Sequence, residues 1–223
     1  GGRGVLSCGT AWVLYSASVK APQDPSGNLC VCCHVRPDEW GLVLPFSGGS
    51  AYDWLARVAP AVHSSASDSA PLVFVPHLYG GLSPDWREAS RGSLLGLSMS
   101  HTAEDIHLAL MQGIAFETRR NLEAADGVGG QVSSVRMVGG AVKSSIWPQM
   151  VADALNCTVE ASDFVESAAF GAARLAAGTA AADWPMPGES RDLLPRPAES
   201  QRMNERYQRY VRFYQALCGL YES

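Results

Sequence analysis

Two glycine-bearing turns are the places in this sequence where residue type and spacing could do chemistry. Gly139-Gly140 falls between an apolar run, Val135-Arg136-Met137-Val138, and a helical pattern that begins near Ser145. Without Cβ atoms, backbone N–H groups at a helix start can approach a nucleotide phosphate closely. Ordinary turn chemistry explains the same pair equally well. Lys143-Ser144 nearby does not make a phosphate loop, which needs Gly directly before the Lys and another five residues earlier. Those positions hold Val142 and Met137.

Gly9-Thr10 is the second candidate, because a turn that exposes consecutive N–H groups beside a hydroxyl can hold phosphate oxygens without a lysine. Cys30-x-x-Cys33-His34 is the third and resembles half of a zinc site. A tetrahedral site needs a second ligand pair, and Cys157 and Cys218 stand alone, so no metal site is expected. His34, His63, His77, His101 and His107 form no H-E-x-x-H arrangement, and no Ser sits in a G-x-S-x-G elbow. Hydrolase chemistry has no support.

The elements that must position these residues follow from pattern. Val5 to Tyr15 reads as a hairpin turning at Gly9-Thr10, and Cys30–Val35, Leu42–Leu44 and Val73–Val75 read as further strands. Ser50–Val58 suits a short helix, Ser64–Ser69 a surface loop, and Tyr79–Ser93 a long functional or mobile loop. Thr102 and Asp105 form a capping-box-like start to a helix whose Ile106, Ala109, Leu110, Gly113, Ile114 and Phe116 recur at helical spacing. That helix should end near Gly127.

Beyond the 139–144 turn, the pattern gives a helix to about Leu155 with Pro148 in its first turn, and then a strand Thr158–Glu160. An Ala-rich helix Ser167–Ala177 follows, with Gly171 at a close packing point. Strands and helices alternating in this order make an α/β fold. Met203, Tyr207, Tyr210, Tyr214, Leu217 and Tyr221 mark a last helix over Glu199–Tyr221. The stripe is shorter than the three to four heptads of a coiled coil, which favours a helix packed on its own domain and leaves a homodimer contact as the alternative.

Composition excludes several classes. A net charge of −5 with no Lys/Arg cluster argues against nucleic acid. No apolar run approaches the roughly 18–20 residues that span a bilayer, so no membrane association is expected. Gly9, Thr10 and Ser16 interrupt the N-terminal apolar stretch and deny it the continuous core of a signal peptide. Six cysteines in 223 residues are too dilute for a disulfide scaffold and point to a reducing, cytoplasmic setting.

Taken together, these segments resemble the C-terminal domain of the FGGY family of carbohydrate kinases, the family of glycerol kinase and xylulokinase. Gly92-Ser93-Leu94-Leu95-Gly96-Leu97, seven residues, and then Asp105-Ile106-His107-Leu108-Ala109-Leu110-Met111-Gln112 fit the family's C-terminal signature. Leu6-Ser7-Cys8-Gly9-Thr10 resembles the phosphate-binding hairpin. Phe46-Ser47-Gly48-Gly49-Ser50-Ala51-Tyr52-Asp53 is similar to the segment whose second Gly and the residue four beyond it lie beside the nucleotide. Gly139-Gly140-Ala141-Val142-Lys143-Ser144 is similar to the family's adenosine loop.

The resemblance implies an actin-like ATPase (ribonuclease H-like) domain, the C-terminal nucleotide-binding half of a two-domain kinase, over residues 1–223 with 199–223 as a C-terminal helix. It implies ATP with Mg²⁺, a ketose or polyol substrate, and nucleotide contacts from Gly9, Thr10, Gly49, Asp53, Gly139, Gly140, Ala141 and Ser144. The family's catalytic Asp lies in a Gly-Asp-Asn/Gln-Ala motif upstream of the phosphate hairpin. The base and the sugar pocket are therefore expected before Gly1. A non-catalytic interaction module is the competing reading. Gly80-Gly81-Leu82-Ser83-Pro84 departs from the family's loops and leaves the substrate open, and Cys8 replaces a residue that is usually Gly, crowding the phosphate side.

Overall fold

The structure, a computed structural model, describes residues 2–60, 72–178 and 183–221. Its core is a seven-stranded mixed sheet in the order β3-β4-β2-β1-β7-β8-β9. The strands are β1 (Gly2–Cys8), β2 (Ala11–Ser18), β3 (Cys30–Cys33), β4 (Trp40–Ser47), β7 (Val132–Gly139), β8 (Thr158–Ser162) and β9 (Ser190–Leu193). β5 (Val73–Val75) and β6 (Ser93–Leu95) pair separately. The helices are α1 (Gly49–Val58), α2 (Ala103–Gly127), α3 (Trp147–Leu155), α4 (Ser167–Ala177) and α5 (Pro197–Tyr221).

Period-two alternation fixes which way the strands face. Trp12, Leu14, Ser16 and Ser18 of β2 are buried while the residues between them are half-buried, and Leu42, Leu44 and Phe46 do the same on β4. β1 turns back antiparallel on β2 with Cys8 opposite Trp12, and on its other side runs parallel to β7 with Cys8 opposite Gly139. β7 and β8 are also parallel. The C-terminal ends of β1 and β7 therefore lie side by side in the middle of the sheet.

α2 starts where its cap predicts: the Thr102 hydroxyl accepts from the Asp105 amide, and the Asp105 carboxylate accepts from the Thr102 amide at 2.8 Å. Its residues from Ala109 to Thr118 are all buried, so it is the central helix. Gly113 is required there. A Cβ at this position would stand 2.1 Å from the Phe74 carbonyl oxygen of β5.

α5 lays Met203, Tyr207, Tyr210, Tyr214 and Cys218 onto this core. Three of its tyrosines end in carboxylates: Tyr207 donates to Glu123 at 2.5 Å, Tyr210 to Glu117 at 2.6 Å and Tyr214 to Asp85 at 2.8 Å. Glu117 is 1% exposed. It also accepts from Arg120 at 2.9 Å and lies 3.4 Å from His77. Burial alone would raise its pKa, but Arg120, His77 and the Tyr210 hydroxyl overcome burial and hold it down at about 2. Arg120 further pairs with Asp85, and His77 Nδ1 lies 2.8 Å from the Ser90 hydroxyl. This network fastens α5 and the irregular 76–92 segment to α2.

The structure departs from the sequence reading at several places. Gly171 is not a packing point: a Cβ there meets nothing within 4 Å, and α4 buries none of its residues. The Tyr79–Ser93 loop ends in a strand, because Ser93–Leu95 pairs with Val73–Val75. β9 carries Arg191 and Asp192, which gave it no apolar signature. α3 begins at Trp147, two residues later than Ser145. The expected 64–69 loop and His63 fall outside the described residues.

Candidate nucleotide site

Ligands on open α/β sheets bind beyond the C-terminal ends of parallel strands. Here that place is where the central strands end, β1 giving way to Gly9-Thr10 and β7 to Gly140-Ala141. A cavity of about 420 Å³ opens there, lined by Cys8, Gly9, Thr10, Trp12, Gly49, Tyr52, Asp53, Gly140, Ala141, Ser144 and Trp147. Seven of the eight residues singled out in the sequence thus share one cavity. Gly139 does not line it and serves the turn instead.

Gly139 has φ +100°, and a Cβ on it would stand 2.7 Å from the Cys8 carbonyl oxygen. Only glycine both takes that conformation and lets β7 approach β1 so closely. Gly140–Lys143 then winds one short 3-10 turn. A Cβ at Gly140 would meet nothing nearer than the Cys8 oxygen at 3.9 Å, so the missing side chain leaves space on the cavity side. The Ser144 hydroxyl accepts from the Ile146 and Trp147 amides at 3.3 and 3.1 Å, which sets the entry to α3.

The hairpin tip is held from the other side. The Ser50 amide donates to the Thr10 carbonyl at 2.8 Å, and a Cβ on Gly49 would stand 2.3 Å from the Gly9 oxygen. α1 can abut the tip only because residue 49 has no side chain. Asp53, one turn along α1, is exposed, and it is the only carboxylate among the lining residues. Burial and then Asp53 raise the Tyr52 phenol. Cys8 is buried and its thiol is pushed well up by burial, leaving it an inert neutral wall.

The sequence reading missed the aromatic frame. Trp147 lies 5.0 Å from both the Trp12 and Tyr52 rings, and Trp12 meets Phe46 edge-on. Helical and strand periodicity marks Trp12 and Trp147 as core, and they are core residues that also line the cleft. The Trp147 Nε1 is buried with no acceptor among the described residues.

A larger cavity, about 680 Å³, abuts the first and shares Tyr52 and Ser144 with it. Its other walls come from α2, α3, α5 and the residues just before α3 and α5, and none of the remaining predicted residues reaches it. Among the described residues no three His, Cys, Asp or Glu side chains gather as a metal site. No described helix is long and apolar enough to cross a membrane.

The sequence matches the C-terminal domain of the FGGY family of carbohydrate kinases over residues 12–180. The chain belongs to that family. It is 29% identical over 187 residues to a xylulose kinase of Bacillus subtilis, a match covering 79% of this chain and 38% of that one. It is 33% identical over 149 residues to a glycerol kinase of Gloeobacter violaceus, covering 62% of this chain and 30% of that one. The crystal structure of a xyloylose kinase from Brucella ovis superposes with a TM-score of 0.88 at 29% identity, covering 98% of this chain and 48% of that one.

The mixed sheet with its helices is therefore the actin-like ATPase (ribonuclease H-like) fold of this family. The FGGY chain spans about half the length of the solved relative and about a third of these curated ones.

Proposed function

We propose that this FGGY domain is the ATP-binding half of a cytoplasmic kinase that transfers the γ-phosphate of ATP to a hydroxyl of a ketose, a pentulose or hexulose, or of a polyol. The observation that carries the reading is the meeting of two glycine turns, at the ends of parallel β1 and β7, on one cavity. Six cysteines in 223 residues are too dilute for a disulfide scaffold, which accords with a reducing compartment.

In this reading Gly9 and Thr10 hold phosphate oxygens through a backbone amide and a hydroxyl. Gly49 and Asp53 flank the nucleotide, and Gly140, Ala141 and Ser144 hold the adenosine, with Gly139 making their turn. The donor set suits a nucleotide: neutral amides and hydroxyls framed by aromatic rings. It does not suit a caged metal, since a single carboxylate lines the cavity, so Mg²⁺ would travel with the ATP phosphates and neutralise their charge.

Phosphoryl transfer asks the protein for positioning and charge neutralisation more than for covalent chemistry. The half of the kinase beyond this chain would supply the sugar pocket and the Asp that takes the hydroxyl proton, and closure of the two halves would complete the site.

Calorimetric titration with ADP tests the binding claim, and an equal response to ADP and to an unrelated anion would defeat it. A coupled ADP-release assay with xylulose, ribulose, fuculose and glycerol tests the activity. Loss of the general base alone removes about 10²- to 10⁴-fold, so sugar-dependent turnover is expected only when the 223 residues are joined to an FGGY N-terminal half. Turnover by the 223 residues alone would overturn the placement of the catalytic groups.

A further inference from the structure

The outer side of α5 carries charge that nothing answers. Its inner side is spent on the core through Met203, Tyr207, Tyr210 and Tyr214. On the outer side Arg209, Arg212, Phe213 and Ala216 line an open concavity of about 440 Å³, which shares no lining residue with the two cavities described above. Arg209 and Arg212 make no hydrogen bond or ion pair with another described residue. The Arg209 guanidinium lies 5.4 Å from the centre of the Phe213 ring, a cation–π contact that holds both groups at one wall.

Charge is segregated to this helix. Residues 201–221 carry Arg202, Arg206, Arg209 and Arg212 against Glu205 alone, a net +3, while the whole chain is −5, which leaves −8 for the rest. Arg202 is answered by Glu199. Glu205 is exposed and pairs with none of the arginines among the described residues.

These features select the partner. A guanidinium fork matches a carboxylate with two parallel hydrogen bonds. Phe213 and Ala216 add an apolar floor, which a free inorganic anion would leave uncovered. A second copy of the same face does not fit. A two-fold contact sets a patch against itself, and here it would oppose arginine to arginine, a repulsive arrangement.

We infer that the outer face of α5 docks an acidic segment of another protein, with carboxylates on Arg209 and Arg212 and an apolar side chain against Phe213. The inner face of the same helix keeps its tyrosine–carboxylate clamp on α2, so the docking face is presented on a fixed support.

Fluorescence anisotropy on the 223-residue protein tests this with a labelled glutamate-rich peptide that has a central phenylalanine. Binding should weaken as salt rises from about 50 to about 300 mM, because exposed charges are screened. Arg209→Glu combined with Arg212→Glu should raise the peptide Kd at least about tenfold, with Tm within about 2 °C of wild type to report an intact fold. The same peptide with alanine for its phenylalanine should bind about fivefold more weakly, the loss of an apolar anchor.

No binding by wild type, an affinity unchanged in the double variant, or equal binding of the two peptides would overturn the inference. Arginine-dependent binding to phosphatidylserine vesicles that exceeds binding to the peptide would overturn it in favour of a membrane. Self-association in analytical ultracentrifugation that the double variant abolishes would overturn it in favour of a second copy.

Discussion

Gly49 and Gly140, two glycines on one cavity, should fail in opposite ways when given a side chain. At Gly49 the new Cβ would stand 2.3 Å from the Gly9 carbonyl oxygen, a backbone atom that cannot swing aside. The hairpin tip must move, and overpacking of this kind costs about 1–3 kcal/mol. For a chain of this size that lowers Tm by roughly 2–12 °C, at about 2–4 °C per kcal/mol. Gly49→Ala should therefore lose stability and nucleotide together, because the displaced tip carries Thr10.

At Gly140 the nearest atom to a new Cβ is the Cys8 oxygen at 3.9 Å, and the surrounding space is cavity. Gly140→Val should leave Tm within about 2 °C, since a surface change that meets nothing moves stability by no more than about 0.5 kcal/mol. The same side chain occupies the volume assigned to the nucleotide, and ADP binding should disappear. Differential scanning calorimetry and ADP titration on the two variants decide it. If Gly140→Val unfolds as early as Gly49→Ala, the space beside it is not open. If it melts normally and still binds ADP, the nucleotide does not lie against this turn.

Further outcomes follow from the clamp between α2 and α5. Glu117→Gln should cost about 3–5 kcal/mol in a urea melt, because it breaks the buried ion pair with Arg120 and leaves that guanidinium only the half-buried Asp85 carboxylate. The folded pKa of Glu117 lies near 2, below its ordinary 4.5. Its contribution is thus fully present above about pH 4.5 and is lost as pH falls toward 2, so the Tm gap between wild type and Glu117→Gln should narrow over that window; a gap constant from pH 6 to 2.5 would refute the assignment. Tyr210→Phe should cost about 1–3 kcal/mol by the same melt, removing one hydrogen bond to a charged group. Gly171→Ala should raise Tm slightly in this chain, because nothing crowds the site and Ala is the better helix former by about 1 kcal/mol.

The sequence alone determined what depends on near neighbours. The capping box at Thr102 and Asp105, the alternation of β2 and the hairpin turn at Gly9-Thr10 are set by contacts a few residues long, and each stands where its pattern predicts. The stripe on α5 was equally legible as a buried face, although its partner was not. The family likeness singled out Gly9, Thr10, Gly49, Asp53, Gly140, Ala141 and Ser144 together; the parallel pairing of β1 with β7 and the packing of α1 against the hairpin tip are what bring them to one cavity.

What only the tertiary structure decided involves partners distant in the chain. β6 and β9 lack the continuous apolar run that marks the equally short β5, and exist because β5 and β8 offer them edges. The role of Gly139 comes from the Cys8 carbonyl more than a hundred residues away. Gln112 sits on a helical face that reads as core from its neighbours Met111 and Gly113. That it lines a cavity depends on how α2, α3 and α5 pack, and a one-dimensional pattern carries no information about the gap three helices leave between them.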